Sequence, residues 1–116
     1  MRQFLLLLAL VGVLLLQASL AFAHPPSDIQ LQFDQKTSVL TVTILHGTRD
    51  PKVHYINDVK VWLGNDQIIT QKFKSQTDNT KQVVQYTILD AKPGSALKVA
   101  ATCSRGGTLE KTLVVK

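Results

Sequence analysis

The chain has 116 residues, 13 basic and 8 acidic side chains for a formal charge of +5, 45% hydrophobic residues and one cysteine. That length suits a single small domain, and the lone Cys103 excludes an internal disulfide framework. The basic residues stand singly, with no block and no interleaved aromatics, which excludes a nucleic-acid stripe and leaves only a mild preference for anions.

In chain order, Arg2 precedes the apolar run Phe4 to Leu16, and Ala21-Phe22-Ala23 supplies a small-x-small end. A charged start, an apolar middle and such an end predict a cleavable secretory signal over residues 1–23. The apolar run is shorter than the roughly 20 residues that span a bilayer as a helix. The mature chain is then 24–116, beginning at His24, with its charge reduced to +4 by the loss of Arg2. It is expected to be periplasmic or secreted, with no stable membrane insertion after cleavage.

Beyond His24 the hydrophobic pattern has period two, the signature of strands, and no long helical pattern occurs. Ile29, Leu31 and Phe33 form the first run, and Asp34 to Thr37 turns the chain into Leu40, Val42 and Ile44. After a loop from His46 to His54 come Val59, Val61 and Leu63, ended by Gly64-Asn65-Asp66, a strong turn sequence. Ile68 to Phe73 follows, then the polar stretch Ser75 to Lys81, then Val84, Tyr86 and Ile88. Lys92-Pro93-Gly94 breaks the chain before Leu97, Val99, Ala101 and Cys103. Arg105-Gly106-Gly107 reverses it into Leu109 to Val115. Seven short strands with frequent turns predict an all-β fold, an immunoglobulin-like antiparallel β-sandwich.

The residues able to carry chemistry are few. His46 continues the phase of Leu40, Val42 and Ile44, so it points inward at a strand end, and Cys103 does the same at the end of the sixth strand. His54 closes the loop that His46 opens, and His24 heads the mature chain. Three imidazoles and a thiol at strand ends and in loops are a set that can converge on a metal at one rim of the sandwich. The plainer readings stand beside it: Cys103 as a small core hydrophobe, His46 and His54 as ordinary loop histidines, His24 on a mobile terminus. Tyr55, Ile56 and Trp62 read as core or sheet-face residues, and Asp50, Asp58 and Asp90 as turn or surface carboxylates.

The stretch HGTRDPKVHYINDVKVWL, His46 to Leu63, resembles the iron-binding segment of the superoxide reductases, desulfoferrodoxin and neelaredoxin. In that family a histidine, a short loop and His-Tyr-Ile lead into a Val/Ile-rich strand. LKVAATCSRGG, Leu97 to Gly107, is similar to the family's later strand ending in Cys-Asn-x-His-Gly, and His24-Pro25-Pro26 to its first histidine. The resemblance implies a mononuclear non-haem iron held by planar histidines and an axial thiolate, with an open position where superoxide is reduced to peroxide. Carried over, His46, His54 and Cys103 are metal ligands and His24 a further histidine. Where the family has a histidine three residues after its cysteine, this chain has Gly106, so the site is reduced. Superoxide or another small anion and an electron donor protein are the implied partners, with no nucleic acid. Two other functions fit the same residues: an exported copper protein that chelates the ion with the free amine and ring of His24, and an interaction module without chemistry.

Overall fold

Alternating apolar and polar residues bury one face of a strand and solvate the other, and two such strips stable in water must close on each other. The computed structural model describes residues 24–116; the expected leader, 1–23, lies outside the described residues. Seven antiparallel strands form: β1 (Asp28–Asp34), β2 (Val39–Leu45), β3 (Ile56–Leu63), β4 (Asp66–Lys72), β5 (Lys81–Thr87), β6 (Ala96–Cys103) and β7 (Thr108–Val114). They make a three-stranded sheet in the order β1-β2-β5 and a four-stranded sheet in the order β4-β3-β6-β7. This is the immunoglobulin-like sandwich that the strand pattern predicts. No helix among the described residues is long and apolar enough to cross a membrane.

The core lies between the sheets. Ile29, Leu40, Val42 and Ile44 from one sheet meet Ile56, Val59, Val61, Leu97, Val99 and Ala101 from the other, and all are fully buried. Ile56 and Val59 both reach the interior although they are out of phase, because the pairing of β3 with β6 slips between Ile56 and Asp58. A bulge of this kind inserts one residue and restores the inward face. At the β3–β4 hairpin Gly64 takes φ 60° at the first position of a two-residue turn, the left-handed conformation that glycine adopts without a steric penalty.

One expectation is corrected here. Asp58 reads from sequence as a surface or turn carboxylate, yet it is only 7% exposed. Lys72 stands directly opposite it on β4 with its Nζ 3.3 Å from Oδ1, and Lys60 brings its Nζ to 3.8 Å from Oδ2. Two long side chains thus cover the carboxylate and balance its charge. Asp50 and Asp90 are exposed, as expected. Ile56 is core, whereas Trp62 is half-buried on its sheet with the Lys98 ammonium 4.4 Å from its ring centre.

Two crossings between the sheets, 46–55 and 73–80, come together at one end of the sandwich. His46 N–H donates to Thr80 O at 2.9 Å, Thr48 N–H to Asn79 O at 2.9 Å, and Gln76 N–H to Pro51 O at 3.0 Å. The β6–β7 turn joins the same end, since Ser104 N–H donates to Tyr55 O at 2.7 Å and Tyr55 N–H to Ser104 Oγ at 3.1 Å. The fold depends on the core beneath these loops. Truncating Ile44→Ala removes a fully buried side chain and should cost about 2 to 5 kcal/mol, read as a lower urea midpoint with an unchanged slope. A loss below about 1 kcal/mol would show that the two sheets do not close tightly at this position.

Candidate metal centre

His46 continues the inward side of β2 by one step and is 1% exposed. Its ring is held by Gln76, itself buried at 6% exposure in the loop 73–80. The Gln76 Nε2 donates to two carbonyls, His46 O at 2.7 Å and Asp78 O at 2.9 Å, which fixes the orientation of the amide. Its Oε1 accepts from Ile56 N–H at 3.2 Å and lies 2.8 Å from His46 Nδ1. An oxygen can only accept, so Nδ1 carries the imidazole proton and Nε2 carries the lone pair. That Nε2 is buried and has no hydrogen-bond partner.

His54 closes a short helical turn. Asp50 O accepts from Val53 N–H and His54 N–H at 3.1 and 3.0 Å, while the Asp50 carboxylate accepts from Lys52 N–H at 3.0 Å. The ring then reaches across to the end of β6, where its Nε2 stands 3.0 Å from Cys103 Sγ. Cys103 is 1% exposed and is the last of the buried series Leu97, Val99, Ala101. Arg105 N–H donates to its sulfur at 3.4 Å.

His24 is brought in by its backbone. Ser27 N–H donates to Leu45 O at 2.8 Å, and Pro26 is buried, so the chain before β1 runs along the end of β2. It then crosses the β6–β7 turn at Gly107, whose φ is 89°. A Cβ there would stand 2.6 Å from Pro25 N and 3.0 Å from the His24 carbonyl carbon, so only glycine admits the crossing. The imidazole of His24 meets the other two with ring centres 5.0 Å from His46 and 4.7 Å from His54, and His46 and His54 are 4.8 Å apart.

One ligand atom from each of the three histidines lies within 4.8 Å of the others. Opposite ligands on one ion at about 2.1 Å stand about 4.2 Å apart, so this spacing is close to what a shared ion requires. The donor set also fits a metal chemically: three imidazoles and a thiol suit iron, copper or zinc. Outside them opens a cleft of about 580 Å³ lined by His24, Arg49, Asp50, Val53, His54 and Arg105, among others. Burial pushes the His46 pKa down, the Gln76 hydrogen bond opposes this, and the charge of His24 adds a smaller push in the same direction as burial. His54 is lowered first by burial, then by His46, Arg105 and His24. Both therefore favour the neutral form, which is the form that ligates metals.

No protein-family model matches the chain, nor does any curated protein sequence. Solved structures do. Superoxide reductase (1Fe-SOR) from Giardia intestinalis matches with a TM-score of 0.56 over 78% of this chain and 99% of its own, at 12% identity. The fold is that of superoxide reductase. A hypothetical protein from Pyrococcus horikoshii OT3 matches with a TM-score of 0.50 at 10% identity, covering 82% of this chain and 91% of that one. Superoxide reductase (Neelaredoxin) from Ignicoccus hospitalis gives 0.47 at 16% identity, covering 84% and 83%.

The structure brings His24, His46 and His54 together and sets Cys103 against His54. Sequence reasoning missed Gln76, which sits in a polar stretch with no periodicity to mark it, and Arg105, which reads only as part of a turn. Replacing Gln76→Leu strands the proton of His46 Nδ1 and the amide of Ile56 without acceptors. Each such loss costs about 1 to 3 kcal/mol, so the metal-free protein should lose about 2 to 6 kcal/mol in urea unfolding, and an unchanged midpoint would contradict the bonding described. Acidification tests the histidines. Their folded pKa values lie below 6.5, so as pH falls through 6.5 the unfolded chain takes up protons that the folded chain refuses, and stability is lost. The melting temperature of the metal-free protein should fall between pH 7 and pH 5, and His46→Gln should flatten that slope.

Proposed function

We propose that this chain is an exported, superoxide reductase-like metalloprotein in which His46, His54, Cys103 and His24 hold one iron ion. The observation that carries the reading is His46 Nε2, a buried lone pair with its tautomer fixed from behind and no hydrogen-bond partner in front. A buried nitrogen acceptor without a partner is costly unless something fills its place, and two further imidazoles stand beside it. The Giardia superoxide reductase with the same fold supports the reaction class.

Iron held by these residues would supply one-electron reduction, by which superoxide and two protons would give hydrogen peroxide, with an electron donor protein replacing the electron spent. The chain's own residues set the conditions for this. Gln76 holds His46 in the ligating tautomer, and Arg105 N–H donates to the Cys103 sulfur. Arg49 and Arg105 outnumber Asp50 on the wall of the cleft, and this excess of positive charge draws small anions toward the histidines. A leader over 1–23 directs the protein to the periplasm or out of the cell.

Protein purified from anaerobically grown cells should carry about one iron per chain, and Cys103→Ser and His46→Ala should each bring that content near zero while the sandwich still folds. Preferential retention of copper, with iron displaced in a competition at equal free metal, would favour the copper reading of the same set. Fully folded protein that takes up neither metal would refute the metal centre.

A further inference from the structure

The three imidazoles cluster at this rim with Cys103 against His54, and all four are side chains. One more nitrogen lies within covalent reach. It is the backbone nitrogen of His24, attached to the same α-carbon as the ring already in the cluster. We infer that this nitrogen, once freed as a primary amine, is a further metal ligand. The inference rests on the metal centre proposed above and deepens it.

In the precursor this nitrogen belongs to the Ala23–His24 amide, where its lone pair is delocalised into the carbonyl and does not bind metals. Ala21-Phe22-Ala23 is a small-x-small cleavage pattern that ends at that bond. Hydrolysis there by a signal peptidase consumes one water, leaving a carboxylate on Ala23 and a primary amine on His24. The amine and Nδ1 of one histidine close a six-membered chelate ring with a bound ion.

Two features of the chain suit this chelate. The His24–Pro25 backbone passes close over Gly107, where a Cβ would stand 2.6 Å from Pro25 N, so the terminus lies at the rim. Pro25 has no N–H, which prevents the next backbone nitrogen from joining the chelate. Coordination by the terminus therefore stops at one amine and one ring, and the remaining positions stay available to His46, His54 and Cys103. The full ligand set exists only after export, so the precursor lacks one ligand of the mature site.

The test uses chain 24–116, which contains both sheets, in three forms: with His24 as its first residue, with one alanine added ahead of it, and with the His24 amine acetylated. Each is titrated anaerobically with Co²⁺ as the probe, and affinity and visible spectrum are recorded. The alanine and acetyl forms should bind about tenfold more weakly or worse, as losses around a metal ligand commonly do, and both should show a changed ligand-field spectrum. Equal affinities and identical spectra in all three forms would overturn the amine ligand while leaving the side-chain centre standing. Absence of Co²⁺ binding in every form would overturn both. Mass spectrometry of the exported protein should give His24 as the first residue, and a different terminus would also overturn the inference.

Discussion

The rim of this sandwich is organised by the amide of Gln76. With two carbonyls fixing its nitrogen and one backbone amide on its oxygen, the group has no freedom to flip, and His46 must present its proton to it. That single polar contact ties β2, the start of β3 and the loop 73–80 into one unit. It also decides that the nitrogen facing the other histidines is the unprotonated one. Buried polar networks are worth having only when every member is satisfied; here one atom, His46 Nε2, is left over at the position where three rings meet.

The other elements serve to aim side chains at that atom. β2 delivers His46 by extending its inward phase one step beyond Ile44, and β6 delivers Cys103 in the same way beyond Ala101. The Asp50 turn sets the reach of His54, and the glycine at 107 lets the chain before β1 lie close enough for His24 to join. Side chains at strand ends, such as His46 and Cys103, are held more firmly than those on free loops. The likeness to the Giardia superoxide reductase at 12% identity fits this division of labour, since the architecture is carried by patterning and the site by a handful of groups.

Much of this was legible in the residues. The seven strands follow from alternation together with the turn sequences that bound them, and the inward phase of His46 and Cys103 follows from the residues preceding them. The bulge at Asn57 was not legible, because a one-residue slip leaves no mark in composition, and the burial of Asp58 went with it. Gln76 was hidden for a different reason: its role comes from His46 and Ile56, partners 30 and 20 residues away in sequence. The meeting of His54 and Cys103 joins the end of one loop to the end of a strand whose pairing partner is known only from the fold.

The same topology governs how the molecule comes into being. β2 pairs with β5, joining Val39 to Thr87, and β3 pairs with β6, joining Ile56 to Cys103. Such distant pairings close long loops before they gain much contact, and chains of this kind fold in milliseconds to seconds rather than microseconds. During synthesis the three-stranded sheet cannot be completed until β5 has emerged, nor the four-stranded sheet until β6 and β7 have.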